Sequence, residues 1–360
     1  LAEPVAFDFQ RDDYFQKLGA LGVPDRAPEL IAAGKPDGMV QKLENLRQII
    51  RQKIENSLPY PEAAIAVALM TGERTAIAED DWDAMRASGL AHMLAISGLH
   101  VGLVASVIFM STRLIMALFP AFAIRRPIKK YAAVLALMAA FGYMMIVGTT
   151  IPTLRALLMT GTVLVAIVLD RIPFSLRLVA IAASVILLLL PESLLGASFQ
   201  MSFAAVTALI FFYETMRKPL SRWYRQAGFW RRLALYFIGV CMTTVIATIA
   251  TGPFALFHFQ QFAVYSLLSN LFAVPLMAFL VMPAAVVSYI LMLCGLEEIS
   301  LHIAGAGIHG ILSIAHGVTD MPFSTWTPPA APLSSLLCLI GGILFFMLWK
   351  GKGRALSIVP

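Results

Sequence analysis

The stretch His92–Val104, HMLAISGLHVGLV, places histidine and serine side chains and two glycines at the head of an apolar run that continues to Phe119. About 20 mostly apolar residues suffice to cross ~30 Å of hydrocarbon, so the run is long enough to be a membrane helix. Only helices and closed barrels satisfy their backbone groups in lipid. The stretch therefore sets the class as helical, and it asks why polar groups stand where a membrane helix begins.

The rest of the chain agrees. Hydrophobic residues make up 59% of 360 and charged residues 13%, against about a quarter charged in ordinary soluble domains. The expected fold is an all-α polytopic integral membrane protein. Its nine candidate segments are 94–119, 131–147, 154–169, 177–190, 198–213, 233–257, 262–294, 299–318 and 332–349.

The 262–294 run would be ~50 Å long as one helix, and Pro275 and Pro283 interrupt it, so it is expected to be broken. It is either a tilted, kinked span or a re-entrant hairpin, the latter leaving 299–318 along the surface. His302, His309 and His316 recur at sevens beside Gly305, Gly307 and Gly310. Ligands seven apart stand two turns, ~10 Å, from one another, so metal binding is not expected.

Charge divides the chain near residue 90. Residues 1–90 hold 15 acids and 10 bases, and residues 91–360 hold 6 acids and 17 bases. The expected domains are an external segment, 1–90, and a polytopic membrane domain, 91–360. Short loops rich in Lys and Arg stay cytoplasmic. That rule puts 16 of the 17 later bases inside, with the carboxyl end, and leaves Arg155 alone outside. The start at Leu1, with no basic-then-apolar leader, reads as a fragment without a signal peptide. Residues 39–56 place Val40, Leu43, Leu46, Ile50 and Ile54 on one helical face, an amphipathic helix that needs a partner surface. Cys241, Cys294 and Cys338 lie in apolar runs without CxxC spacing, so they read as packing residues.

No Asp or Glu occurs between Leu94 and Leu169 or between Thr215 and Leu296. Ion-coupled carriers keep intramembrane ionisable groups, so a proton-driven antiporter is disfavoured. The polar residues kept in the apolar runs are uncharged: Ser97, His100, Gln200, Ser202, His258, Gln260, Gln261 and Asn270. Gly98, Gly102 and Ser106 form a small-xxx-small ridge fit for close helix approach, with Ser97 and His100 on another face. Helix packing and a water-lined pathway both account for this set. Arg155 either snorkels to the headgroups or offers its paired donors to a phosphate. The inside bases serve topology or a nucleic-acid exit. With no carboxylate to orient His100 beside Ser97, and no GxSxG, no enzyme activity is expected.

TGERTAIAEDDWDAMRASGLAHMLAISGLHVGLV, GTTIPTLRALLM, LDRIPFSLRLVAIAASVILLLLPESLLGASFQMSFAAV and ATIATGPFALFHFQQFAVYSLLSNLFAVPL stand in the order and spacing of the ComEC competence family, which the chain resembles from about Leu58 to Val287. Residues 5–22 resemble the segment that follows that family's external oligonucleotide-binding-fold domain. The metallo-beta-lactamase-like nuclease domain of many members has no HxHxDH counterpart here. The resemblance implies an inner-membrane channel that passes single-stranded DNA into the cytoplasm during transformation.

It carries over by position Thr71, Gly72 and Glu73; His92, Ser97, Gly98 and His100; Arg155; Phe199, Gln200 and Ser202; Gly252 and Pro253; Asn270 and Pro275. With Gly102 and Gln260 from the polar and small-residue reading, these are the candidate channel-lining and motif residues. Expected partners are single-stranded DNA, an external DNA receptor, a second copy of the chain and, since no P-loop is present, a cytoplasmic ATP-driven translocase. No cofactor is expected. The alternatives are a carrier or flippase for a smaller anionic or lipid substrate, and a membrane scaffold.

Overall fold

The computed structural model describes residues 38–94, 96, 98–119, 124–171, 176–225, 228–329 and 332–348. The 1–37 tail, Ser97 and the bases Lys350, Lys352 and Arg354 lie outside the described residues.

Three helices precede the first apolar run: α1 Met39–Ser57, α2 Glu62–Thr71 and α3 Glu79–Ala87. The apolar stripe of α1 is only half used. Ile50 and Ile54 are buried, while Val40 and Leu46 stay exposed, so the carboxyl-terminal half carries the docking energy. Each buried isoleucine contributes about 1.5–3 kcal/mol. Helix α2 is buried at every residue and ends at Gly72, whose φ of 84° is left-handed. A Cβ there would run into the Val147 carbonyl, so glycine is required twice over. Two carbonyls at that helix end are capped from elsewhere: Tyr143 Oη donates to Leu69 O at 2.7 Å and Tyr289 Oη to Met70 O at 2.5 Å. They satisfy groups that a helix end leaves open.

After the short α4 Ala91–Leu94 come α5 Gly98–Ala117, α6 Ile128–Val147, α7 Ile151–Val168, α8 Leu176–Leu189, α9 Ala197–Arg225 and α10 Phe229–Phe259. They are followed by α11 Ser266–Leu276, α12 Met282–Leu291, α13 Glu297–Thr319 and α14 Leu333–Leu348. Two short strands, β1 Phe262–Ala263 and β2 Thr325–Trp326, pair antiparallel with Phe262 opposite Trp326. Each of the nine expected apolar segments contains a helix, with β1 at the start of 262–294. Among the described residues six helices are long and apolar enough to cross a membrane: Gly98–Ala117, Ile128–Val147, Ala197–Met216, Trp230–Phe259, Ser266–Leu291 and Glu297–Thr319. Shorter apolar helices occupy the other three places.

The run expected to be broken or re-entrant does not reverse. Helices α11 and α12 are joined by a π turn, Met277–Val281, into one rod from Ser266 to Leu291. Pro283 has no N–H to donate and crowds the turn before it; that turn is the wider Met277–Val281, which absorbs the fault without ending the helix, while Pro275 sits inside α11.

Helix α5 packs on α6, α7 and α12; α7 packs on α8, α8 on α9, α9 on α10 and α10 on α11. Because α11 continues through the π turn into α12, this order of neighbours closes on itself. Across the circuit, among the described residues, α5 and α7 make no extensive contact with α9 or α10. A core cluster joins α1, α2 and α3 to α5, α6, α12 and α13 through Ile54, Leu69, Met85, Val101, Ala136, Met282 and Leu301. By contrast, no residue from Met201 to Phe212 in α9 is buried.

Helix α13 is where small residues permit close approach. An added Cβ would stand 2.7 Å from Leu58 Cδ2 at Gly305 and 2.6 Å from Val281 Cγ2 at Gly307. Polar partners from the amino-terminal helices follow α13 along its length. Lys53 Nζ pairs with Glu297 Oε1 at 2.7 Å, His309 Nδ1 with Glu62 Oε1 at 2.7 Å, and His316 Nε2 with Asp81 Oδ1 at 2.8 Å. Two of the three spaced histidines are thus bonded to carboxylates. Among the described residues no group of three or more His, Cys, Asp or Glu is placed to hold a metal ion.

Candidate functional site

The head of α5 carries the first group of candidates, and its faces are the reverse of those expected. His100 is fully buried, on the side that also buries Val101, Val104 and Ala105. At Gly98 and Gly102 an added Cβ would meet nothing within 4 Å. Gly98 and Ser106 are exposed and Gly102 half-buried. The ridge expected to seat another helix is therefore uncovered, and the face expected to present His100 is the packed one. At 100° per residue Gly98, Gly102, Ser106 and Arg113 span an arc of about 80° that begins beside the packed face, Gly98 being about 20° from Ala105. Arg113, toward the far end of α5, holds its guanidinium 5.7 Å from the Phe109 ring centre. Ser97 lies outside the described residues, so its place in the site is not described.

His92 is exposed, and its Nδ1 lies 3.0 Å from Gly89 O. Glu73 accepts from Arg51 Nη1 at 2.5 Å and from Thr75 Oγ1 at 3.2 Å. Its role in the structure is to tie the loop after α2 to α1.

The second group links α7, α9 and α10. Arg155 is 5% exposed, enclosed by protein. Its Nη2 donates to Ser198 Oγ at 2.6 Å, while its Nη1 is enclosed with no hydrogen-bond partner among the described residues. Two residues beyond Ser198, Gln200 Oε1 stands 2.9 Å from His258 Nε2, and Gln200 Nε2 donates to Leu194 O. Arg155 and Gln200 are thereby drawn to the start of α9, with His258 reaching from the end of α10. An enclosed guanidinium is costly inside a membrane unless its donors are met. One unmet nitrogen in an otherwise bonded cluster is a place for an anionic oxygen. Ser198 was missed from the sequence because nothing in ASFQMS distinguishes it from its neighbour Ser202, which is half-buried on the same helix.

A family model described as Competence protein matches residues 69–353. The chain belongs to the ComEC competence protein family. The matched stretch starts within α2 and takes in both groups of residues. The chain is 28% identical to ComE operon protein 3 of Bacillus subtilis over 262 residues, which is 72% of this chain and 30% of that relative. It is 25% identical to Recombination protein 2 of Haemophilus influenzae over 346 residues, 96% of this chain and 41% of that one. To Competence protein ComA of Neisseria gonorrhoeae it is 26% identical over 294 residues, 79% and 38% of the two chains. The chain thus spans less than half the length of these relatives. No solved structure matches.

The remaining candidates of this competence protein lie apart from the two groups. Gln260 is exposed and caps α10 with a left-handed φ of 53°. Asn270 is 8% exposed, with its Nδ2 donating to Ser266 O at 2.7 Å within its own helix. Pro275 lies in the last turn of α11, two residues before the π turn begins at Met277. A groove of about 430 Å³ between α10 and α14, lined by Gly252, Pro253, Phe257, Phe262, Trp326 and Leu336 among others, holds two of the carried-over residues but is almost wholly apolar.

Proposed function

We propose that this chain forms the membrane conduit through which one strand of DNA passes into the cytoplasm during natural transformation. The observation that carries the reading is the uncovered face of α5. A helix in a dry bundle uses glycines to bring a neighbour close, yet Gly98 and Gly102 have open space beside them. A strand bears about one negative charge per nucleotide and cannot enter hydrocarbon, so it needs a wet route. Small, uncharged walls let it slide without holding it, since conduction requires binding weak enough to release.

Among the described residues helices α9 and α10 make no extensive contact with α5, and Arg155 of α7 reaches α9 through Ser198. The unmet nitrogen of Arg155 is enclosed, so it meets a phosphate of the strand only when the start of α9 moves away from it. The basic loops lie on the cytoplasmic side of the inner membrane, with the amino-terminal segment outside. That segment is net acidic, so first capture of DNA falls to an external receptor or a domain outside this chain. Inward pulling falls to a cytoplasmic ATP-driven translocase.

Cells carrying Arg155→Gln in the full-length protein should still bind labelled DNA at their surface, and should admit little strand protected from external nuclease. Normal entry of the strand at normal protein abundance overturns the phosphate role of Arg155. A fall in abundance that fully accounts for lost entry favours a scaffold over a conduit.

A further inference from the structure

The polar cluster at the start of α9 has one fixed side and one loosely held side. Arg155 belongs to the fixed side. Ahead of it Thr153 is buried, and its hydroxyl lies 2.7 Å from Gly148 O and 2.9 Å from Thr150 O, which closes the turn that begins α7. Next to it Ala156 is buried in the core that α7 shares with α5 and α6. The other side is a 3₁₀ turn, Pro191–Leu195, that leads through Gly196 into α9. Gln200 Nε2 donates back to Leu194 O at 3.0 Å, so this turn and the first turn of α9 form one piece. Gln200 Oε1, 2.9 Å from His258 Nε2, joins the end of α10 to that piece. Farther along α9 no residue from Met201 to Phe212 is buried, and a segment with few buried contacts shifts at low cost. Between the two sides stands a hydroxyl. Ser198 is exposed, and its Oγ accepts from Arg155 Nη2 at 2.6 Å, so the enclosed guanidinium lies one serine away from open space. Its Nη1 has no hydrogen-bond partner among the described residues.

We propose that Ser198 is the latch of a gate that the DNA strand itself opens, by exchanging the serine hydroxyl on Arg155 for a phosphate of its backbone. This rests on the strand-conduit reading and deepens it, since it assigns how the conduit stays shut when empty. A route wide enough for a strand would otherwise pass small ions whenever it stood open. The exchange is favoured by charge and by count. A hydroxyl is one neutral acceptor, whereas a phosphate is charged and offers paired oxygens that match both guanidinium nitrogens. A ligand shifts an equilibrium only by its differential affinity for the two states. Here the difference is Nη1, which is enclosed and unmet while the hydroxyl is in place and bonded once it has moved. Gln200 then carries the motion from the 3₁₀ turn to His258 and the end of α10. The same phosphate chemistry occurs in a phosphatidylglycerol headgroup and in inorganic phosphate, so the test separates these sources from the strand.

The full-length protein, with its native cysteines changed to serine, carries spin labels at Leu195→Cys in the 3₁₀ turn and Met138→Cys in α6, both exposed positions. It is placed in phosphatidylcholine nanodiscs, and the distance between labels is read by double electron-electron resonance. Saturating oligothymidylate should move the Leu195 label by about 3 Å or more, the length of the hydrogen bond that is broken. Ser198→Ala should show the moved distance before any strand is added, and Arg155→Gln should keep the resting distance with the strand present. A methylphosphonate oligomer should leave the wild type at rest. No movement in wild type with oligothymidylate bound overturns the gate and leaves the conduit standing. No binding of oligothymidylate to wild type overturns both. A resting distance in Ser198→Ala overturns the latch. Movement of equal size with the methylphosphonate oligomer overturns the phosphate trigger, and this arm decides on wild type even where Arg155→Gln gives no monodisperse protein. Movement caused by phosphatidylglycerol in the nanodisc, or by inorganic phosphate alone, assigns the trigger to a headgroup or a free anion and overturns the strand-operated gate.

Discussion

Replacing Gly102 with tryptophan separates a wet face of α5 from a greasy one. A Cβ at this position meets nothing within 4 Å, so the indole starts in open space and incurs no overpacking cost. Glycine in a helix interior is about 1 kcal/mol worse than alanine, and tryptophan lies between them, so stability should change by no more than about 0.5 kcal/mol. The added side chain is large, burying on the order of 200 Å² when packed. In a passage lined by Gly98, Gly102 and Ser106 it should cut strand entry at least about tenfold.

Gly307→Ala provides the contrast. Its Cβ would stand 2.6 Å from Val281 Cγ2 and 3.1 Å from Leu280 Cδ2, an overpacking worth about 1–3 kcal/mol. That variant should lose abundance and strand entry together. The assay is uptake of labelled DNA into nuclease-protected form, read beside the amount of membrane-inserted protein. Wild-type uptake by Gly102→Trp at wild-type abundance would refute the reasoning, because it would mean that lipid covers this face.

Two further substitutions test how the site is held. Ser198→Ala removes the hydroxyl that meets Arg155 Nη2 at 2.6 Å, leaving a second enclosed donor unmet; thermal unfolding in detergent should show a loss of about 1–3 kcal/mol, and no change would mean that the bond is not kept. Tyr289→Phe deletes the donor to Met70 O and should cost about 1 kcal/mol, with faster proteolysis of the loop after α2 as the local readout; unaltered proteolysis would show that Tyr143 alone secures that end.

The apolar runs were legible because lipid demands length and hydrophobicity from any helix that spans it, and helix lies within each of the nine ranges. The amphipathic reading of α1 was also sound in kind, though Ile50 and Ile54 are buried while Val40 and Leu46 are not. Periodicity marks a face without saying how far a partner extends. What could not be read was which small-residue ridge is covered. Gly98-xxx-Gly102 has the spacing of a packing seam, yet the close approaches occur at Gly305 and Gly307 in α13. Both patterns are glycine on one side of an apolar helix, and only the tertiary neighbours distinguish them. Arg155 stayed open between two readings for a related reason. Snorkelling presumes a free path to the headgroups, and the start of α9 blocks that path with Ser198.

The continuous course of α11 and α12 turned on whether proline faults could be absorbed in place. The π turn answers that in the backbone, where sequence spacing gives no sign.

The central claim is that water and a nucleic-acid strand reach the open face of α5. In a full-length protein with Cys241, Cys294 and Cys338 changed to serine, Ser106→Cys should react with a charged, membrane-impermeant thiol reagent. Bound single-stranded DNA should protect it from that reagent. A cysteine at 106 that reacts only with a lipid-soluble reagent, with or without DNA, would contradict the account.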